Sequence, residues 1–222
     1  MPLADPSHFP REFDVAIELD ADDVRRRLAN GCTAVVDAKD RLTKADQAIG
    51  DGDHGVGMAR GFSAALKKLD EAPAAATGEL FKAVGMAIMS TSGGASGAVF
   101  GTFFMQAAAP LDTATLDSPR FVAAMQSGLD AVEARGGAKP GDKTVIDALV
   151  PAIARARQAT VDDVVACLAA AAAGAIEGVE STVDMKAATG KARSLGERSI
   201  GHPDPGAISI SVFLTAFAEE SD

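Results

Sequence analysis

The sequence of 222 residues has no tryptophan and no tyrosine, and only 5% of its residues are aromatic. Alanine therefore supplies much of its 47% apolar content. Strands favour β-branched and aromatic side chains, whereas alanine favours helices that approach one another closely. A chain of this length can bury one sizeable core. The composition therefore favours a single domain of closely packed helices over a β-sheet protein.

Basic residues are also scarce, with 21 Lys and Arg against 31 Asp and Glu, which gives a net charge of −10. Nucleic acids and anionic membranes are bound through basic patches, so we expect neither as a partner. A phosphorylated small molecule is not excluded, because a bound metal ion can offset its charge.

The chain also lacks features of secreted and membrane proteins. Its two cysteines, Cys32 and Cys167, are isolated and are expected to be reduced residues of the core or of a helix face. Residues 1–14 are acidic and rich in proline, without the apolar run of a signal peptide. The longest apolar stretch, Val164–Ile176, is too short and too rich in alanine and glycine to span a bilayer. We therefore expect a soluble cytoplasmic protein.

Apolar residues recur at helical spacing along most of the sequence, as Val24, Leu28, Cys32 and Val35 do. We find no convincing strand and no internal repeat. After a leader of residues 1–18, we predict one all-α domain over residues 19–222. The expected helices cover residues 19–40, 56–69, 80–89, 98–108, 118–135, 142–156 with Asp142 as the N-cap, 161–183 and 205–218.

The stretch DQAIGDGDHG at 46–55 carries the strongest chemical signal. It places Asp46, Asp51 and Asp53 within eight positions and separates them with glycines that allow sharp turns. Carboxylates this close repel one another unless a cation lies between them, and a hard divalent ion such as Mg²⁺ or Ca²⁺ suits oxygen ligands. The helix that begins near Gly55 could hold an anion at its start, such as a phosphate bridged to the metal.

Three known motifs do not account for this stretch. Gly50, Gly52 and Gly55 match the dinucleotide fingerprint G-x-G-x-x-G, but helical sequence precedes them where a strand is required. An EF-hand that starts at Asp51 would place Phe62 where a bidentate glutamate is needed. No G-x-x-x-x-G-K-[ST] occurs, which excludes a P-loop. An unusual metal loop that leads into a helix remains.

Three further loops allow more than one interpretation. Ser92–Gly97 is either a helix C-cap of small residues or a glycine-rich lid whose N–H groups and Ser96 hydroxyl contact phosphate. Gly141–Thr144 is most simply an N-capped helix start. Residues 196–206 crowd polar groups between apolar helices, with Asp204 as a simple cap or as part of a ligand-contacting loop. No nucleophile with His and Asp partners is indicated, so we assign no catalytic residue to this chain.

Together these loops resemble the DhaL-type nucleotide-binding subunit, the Dak2 domain, of dihydroxyacetone kinases. One matching stretch would be weak evidence, but five in the family's order are specific. They are DQAIGDGDHG (46–55), ARGF (59–62), GGASG with FGTFF (93–97 and 100–104), PGDKTVIDAL (140–149) and LGERSIGHPDPGA (195–207).

The resemblance implies an antiparallel eight-helix barrel whose loops at one end hold two Mg²⁺ ions and ADP or ATP. Asp46, Asp51 and Asp53 match the metal-binding carboxylates of the family. The residues that match its nucleotide-binding positions are His54, Gly55, Gly57, Ser90, Thr91, Gly94, Ala95, Ser96, Gly136, Thr144, Lys191, Asp204, Pro205 and Gly206.

Two of these positions depart from the family pattern. Gly57 stands where the family has an asparagine, and this departure suggests a relative that acts on a tetrulose such as erythrulose. Lys191 lies in GKARS (190–194), where the family usually has GRASY. Lysine keeps the positive charge but loses the bidentate guanidinium fork, so both departures bear on nucleotide affinity.

The resemblance also implies transfer of a phosphoryl group to the primary hydroxyl of a short ketose in glycerol metabolism. The ketose would lie on a separate K-type subunit, for which this chain has no room. A phosphotransferase-system subunit as a second partner, a homodimer, and ATP or phosphoenolpyruvate as the donor remain open. The alternatives are a nucleotide-sensing regulatory module and the nucleotide domain of a tetrulose kinase. A fatty-acid kinase domain fits less well, because its loop usually has DGDTG.

Overall fold

The computed structural model describes residues 18–71, 76–159 and 162–219, which are mostly helical. The α-helices are α1 (Ala21–Asp37), α2 (Lys39–Ile49), α3 (His54–Glu71), α4 (Thr77–Thr91), α5 (Gly94–Ala107), α6 (Ser118–Gly136), α7 (Ile146–Gln158), α8 (Val164–Thr182) and α9 (Pro205–Ala218). A 3₁₀ helix covers Lys191–Ser199, and strands β1 (Glu18–Asp20) and β2 (Thr115–Asp117) form a small antiparallel pair.

Eight of the α-helices form a closed ring. Helices α3 to α9 pack in chain order, each against the next, and α1 lies between α9 and α3 and completes the ring. Helix α2 is additional to the ring and packs mainly on α3. This arrangement confirms the expected all-α fold with an eight-helix barrel.

Phenylalanines fill the interior of the barrel. The rings of Phe104 and Phe213 meet edge to face with centroids 4.9 Å apart, and the ring of Phe62 lies 6.0 Å from that of Phe213. Phe217 stacks on Phe213 with centroids 5.8 Å apart. All four side chains are buried. The few aromatic residues are thus concentrated where edge-to-face and stacked pairs add to the free energy of burial.

The expectation that the chain has no strand is wrong. Leu19 of β1 pairs with Leu116 of β2, and both side chains are buried. Each strand has three residues and buries one of them, which is too short for an alternating pattern to be recognised. The predicted leader cannot be compared with the structure over residues 1–17, which lie outside the described residues.

The single helix predicted over residues 19–40 is confirmed over Ala21–Asp37, but the prediction extends too far at both ends. Strand β1 takes its first residues, and α1 ends at Asp37 before α2 begins. Helix α2 was not predicted because only Leu42 and Ile49 of its residues are buried, so its apolar stripe is thin. Its position matters for the site, since Asp46 lies in its last turn.

Asp142 does not cap α7, contrary to the prediction. The Asp142 carboxylate accepts a hydrogen bond from the N–H of Lys139 (2.8 Å), and α7 begins four residues later. Asp147, in the first turn of α7, instead accepts from the N–H groups of Gly141 (2.5 Å) and Thr144 (2.7 Å). This one buried carboxylate therefore holds the turn that precedes α7.

Helix α8 is longer than the apolar stretch from which it was predicted. It extends to Thr182 and has 19 residues. By length and composition alone, a helix of this kind could cross a membrane, so the expectation that the apolar stretch is too short is corrected. In the structure α8 packs between α7 and α9, and 44% of its most apolar 18-residue segment is buried. These contacts are typical of a core helix.

Gly55 allows α2 and α3 to approach closely. A Cβ atom at this position would lie 2.3 Å from the carbonyl oxygen of Lys39 and 2.3 Å from Oγ1 of Thr43. Since α2 carries Asp46 and α3 follows Asp53, this contact also sets the spacing of the acidic residues.

We expect Gly55→Ala to lower the free energy of unfolding by about 1–3 kcal/mol, because the added methyl group must push α2 away from α3. Urea denaturation followed by circular dichroism measures this change. Gly136→Ala is the matched control, since a Cβ atom there has no neighbour within 4 Å among the described residues. Equal stability of the two variants would contradict the proposed role of the close contact.

Candidate functional site

A cleft of about 650 Å³ opens at one end of the barrel, where α3, α5 and α9 begin. Its walls are the α2–α3 loop, the start of α5, the turn before α7, and parts of the segment from residue 189 to the start of α9. The predicted site residues that line it are Asp46, Asp51, Asp53, His54, Gly57, Gly94, Ala95, Ser96, Thr144, Lys191, Asp204, Pro205 and Gly206.

Four predicted binding residues lie outside this lining. Gly55 is buried between α2 and α3. The hydroxyl groups of Ser90 and Thr91 both donate to the carbonyl oxygen of Ala87, at 3.1 and 2.7 Å, within α4. Gly136 is exposed at the end of α6. The structure thus does not bring these four residues to the cleft wall, and their roles stay predictions.

The three aspartates of the acidic loop converge. One carboxylate oxygen from each of Asp46, Asp51 and Asp53 lies within 4.8 Å of the others. Gly52 allows the turn between them with a φ of +79°. The Asp46 carboxylate also accepts a hydrogen bond from the N–H of His54 (3.1 Å), the first residue of α3. A negative charge at a helix start is favourable, so α3 stabilises Asp46 in this position.

The chemistry of this set fits a hard divalent cation. Carboxylate oxygens are the usual protein ligands of Mg²⁺, which prefers six oxygen ligands and commonly keeps several waters or phosphate oxygens. Three carboxylates would leave the other positions open. Asp51 and Asp53 are exposed, so ligand oxygens from the cleft have access to the same point. Asp46, Asp51 and Asp53 are the residues that could hold such an ion.

Lys191, at the start of the 3₁₀ helix, is paired with the same carboxylates. Its ammonium group forms a short contact with Asp51 and lies 3.1 Å from Oδ2 of Asp53. The hydrogen bond from Lys191 lowers the pKa of Asp51, and the bonds to Asp51 and Asp53 raise the pKa of Lys191. Asp51 and Lys191 are therefore both charged near neutral pH.

The imidazole of His54 joins the starts of three helices. Its Nδ1 lies 3.0 Å from the hydroxyl oxygen of Ser96 on α5, and its Nε2 lies 2.8 Å from that of Ser209 on α9. The side chain is buried, and burial lowers the pKa of His54, so the ring is neutral near pH 7. Because both ring nitrogens already have partners, the side chain of His54 holds the cleft walls together.

The start of α5 offers free N–H groups to the cleft. Only Ser92 and Gly93 separate α4 from α5, so most of the predicted glycine-rich loop is the first turn of a helix. No side chain among the described residues caps this turn. Gly93 and Gly94 have φ values of +72° and +64°, and a Cβ atom at Gly94 would meet nothing within 4 Å. An uncapped helix start of this kind suits an anion.

Arg60 was missed by the sequence analysis although it lines the cleft. Its guanidinium group donates to the carbonyl oxygens of Thr91 (2.6 Å) and Ser92 at the end of α4. These bonds fix the approach to α5. Arg60 lies one helical turn after Gly57 within the ARGF stretch, and this spacing could have assigned both residues to one face of α3.

The part of the cleft lining formed by the turn before α7 and the start of α9 contains the buried Lys143 and the partly buried Asp204. Lys143, with a φ of +62°, donates from Nζ to the carbonyl oxygens of Thr182 (2.7 Å) and Met185 (3.0 Å) after α8. Asp204 caps α9 by accepting from the N–H of Ala207 at 2.7 Å. Burial raises the pKa of Asp204 to about 7 and lowers that of Lys143. The predicted capping role of Asp204 is confirmed, and the residue also lines the cleft.

The raised pKa of Asp204 predicts a pH-dependent stability. The folded state binds this proton more tightly than the unfolded state, in which an aspartate has a pKa of about 3.9. The resulting stabilisation is complete below that value and is lost as the pH rises through about 7. Asp204→Asn keeps a capping oxygen but has no group that titrates in this pH range. We expect urea denaturation at a series of pH values between 4 and 8 to show a flatter profile for Asp204→Asn; parallel profiles would contradict the assignment.

Comparisons with known proteins agree with this site. The DAK2 domain family matches residues 48–219. A subunit from Escherichia coli, named the ADP-binding subunit DhaL of a PEP-dependent dihydroxyacetone kinase, is 42% identical over 180 residues, which are 80% of this chain and 86% of that protein. A subunit of the same description from Listeria innocua is 39% identical over 186 residues, which are 83% of this chain and 89% of the relative.

Longer relatives and solved structures match as well. D-erythrulose kinase from Mycolicibacterium smegmatis is 37% identical over 191 residues, which cover 84% of this chain but only 33% of that protein. The crystal structure of the dihydroxyacetone kinase of C. freundii covers all of this chain and 38% of its own, with a TM-score of 0.66 and 25% identity. The resemblance seen in the sequence is confirmed, and the chain belongs to the DAK2 domain family.

Proposed function

We propose that this chain is the magnesium- and nucleotide-binding subunit of a short-ketose kinase of the dihydroxyacetone kinase type. The observation that carries the proposal is the convergence of three carboxylates at a cleft into which the uncapped start of α5 also opens. The two subunits described above, each matched over more than four fifths of its length, carry names that specify ADP binding.

Charge makes a cation necessary for this function. The three carboxylates carry three negative charges, and a nucleoside triphosphate carries about four near neutral pH. Two bound Mg²⁺ ions would supply the positive charge between these groups and neutralise the charge that develops during phosphoryl transfer. Asp46, Asp51 and Asp53 would hold the ions, and the N–H of His54 keeps Asp46 in place.

The remaining cleft residues divide between the phosphates and the nucleoside. The N–H groups of Gly94, Ala95 and Ser96 at the start of α5 would bind phosphate oxygens, as would the ammonium group of Lys191. Thr144 lies on the wall before α7 and would contact the adenosine side. The loop at the start of α9 would close over the nucleotide.

The acceptor would come from another protein. We propose in-line transfer to the primary hydroxyl of a ketose bound on a separate K-type subunit, with this chain contributing the nucleotide. The named dependence of the E. coli and L. innocua relatives on PEP favours a form in which bound ADP is rephosphorylated by a phosphotransferase-system subunit. A soluble cytoplasmic location belongs to the same proposal.

A second candidate is the nucleotide domain of a tetrulose kinase. The erythrulose kinase of M. smegmatis supports it through 37% identity over most of this chain. Gly57, which lines the cleft, is the residue of this chain on which that alternative rests. A panel of ketoses, tested with the cognate K-type subunit, separates the two candidates, because each predicts a different preferred acceptor.

We expect Asp51→Asn and Asp53→Asn each to weaken Mg²⁺-dependent ADP binding by about tenfold or more, because each removes a charged oxygen ligand. Isothermal titration with ADP, with and without Mg²⁺, measures the effect. Asp112→Asn replaces an exposed aspartate outside the cleft lining and should bind as the wild type does. Unchanged binding in both cleft variants would refute the metal assignment.

We expect the isolated chain to bind ADP with Mg²⁺ and to phosphorylate no ketose, because the acceptor lies on the partner subunit. Addition of the K-type subunit, together with ATP or a phosphoenolpyruvate-driven system, should restore phosphorylation of dihydroxyacetone. A coupled assay on each protein alone and on the mixture measures this directly. Rapid ketose phosphorylation by the chain alone would overturn the subunit assignment.

A further inference from the structure

Lys191 brings a positive charge of the chain itself into the acidic cluster. Its Nζ contacts Asp51 and lies 3.1 Å from Oδ2 of Asp53. These are two of the three carboxylates whose oxygens lie within 4.8 Å of one another. The ammonium group therefore neutralises part of the repulsion that a divalent ion would otherwise have to offset.

The position of Lys191 allows its side chain to separate from Asp51 and Asp53. The Lys191 side chain is 60% exposed, and its polar partners in the described part of the protein are the two aspartates alone. It follows Gly190, a glycine with a φ of +63°, at the first position of the 3₁₀ helix. An exposed ion pair of this kind contributes little stability, so its loss does not disturb the fold.

We propose that Lys191 is a tethered competitor of the divalent metal, occupying the Asp51–Asp53 pair until the ion displaces it. The proposal rests on the metal site of the proposed function. Because the lysine is attached to the chain, its effective concentration at the carboxylates stays high whatever the metal concentration. The metal must therefore replace an existing charge interaction, and Lys191 weakens the binding of a bare ion.

Displacement also changes what the lysine contacts. Lys191 lines the cleft together with the start of α5, so an ammonium group released from the aspartates stays beside the position proposed for phosphate. Substitution of Lys191 thus has opposite effects on two ligands. It strengthens binding of the bare metal ion and weakens binding of the metal–nucleotide complex.

Binding of Mn²⁺ to the full chain without nucleotide tests the proposal, because the electron paramagnetic resonance signal of free Mn²⁺ reports the dissociation constant. We expect Lys191→Met to bind Mn²⁺ about two- to fivefold more tightly than the wild type, the range of an exposed ion pair. Lys191→Arg keeps the charge and can pair with both carboxylates, so it should bind Mn²⁺ no more tightly than the wild type. Circular dichroism confirms that each variant is folded.

Lys186→Met is the matched control. Lys186 is an exposed lysine on the same connection between α8 and α9, outside the cleft lining and without an ion pair in the ranges that the structure describes. Because Lys186 neither lines the cleft nor pairs with the three aspartates, this variant should bind Mn²⁺ as the wild type does.

Two different results would overturn the proposal and can be told apart. Equal or weaker Mn²⁺ binding by Lys191→Met, with clear binding by the wild type, refutes the competition and leaves the metal site intact. If neither protein binds Mn²⁺, and Asp51→Asn does not alter ADP binding in the presence of Mg²⁺, the competition and the metal site of the proposed function both fail.

Discussion

Repulsion among Asp46, Asp51 and Asp53 is the constraint on which this end of the barrel depends. Each aspartate comes from a different point along the end of α2 and the loop that follows, and the close contact of α2 with α3 at Gly55 keeps them together. Two groups of the chain offset the negative charge of the three aspartates. The start of α3 donates an N–H to Asp46, and the ammonium group of Lys191 pairs with Asp53. The proposed metal would take the place of Lys191 in neutralising Asp51 and Asp53.

The two walls of the cleft differ in how their charges are solvated. On the acidic side Asp51, Asp53 and Lys191 are exposed to solvent. At the turn before α7, Lys143 in the cleft lining and Asp147 outside it are buried and hydrogen-bonded to backbone groups, so they hold loops in place. Solvent-exposed charges and charges that support loops are therefore carried by separate residues.

Much of the fold and of the site could be predicted from the sequence, because the predictive signals were local. Helical periodicity found the ring helices, and three aspartates among glycines marked the acidic loop that lines the cleft. The features that were missed either have few buried apolar residues or depend on contacts between distant segments. Helix α2 has a thin apolar stripe, Arg60 gains its role from the carbonyl oxygens at the end of α4, and Ser209 looks like an ordinary residue of α9 until it meets His54. No local pattern reveals such partners.

The hydrogen bonds around His54 have a direction that reaches the cleft. The Ser209 hydroxyl donates to the carbonyl oxygen of Pro205 (3.0 Å), which can only accept, so Nε2 of the neutral imidazole carries the proton and donates to Ser209. Nδ1 must then accept the proton of Ser96. Ser96 therefore presents only the lone pairs of its oxygen to the cleft, and its hydroxyl proton is already used in the bond to His54. Backbone N–H groups are left to meet a phosphate, while the Ser96 oxygen suits a water molecule or another donor.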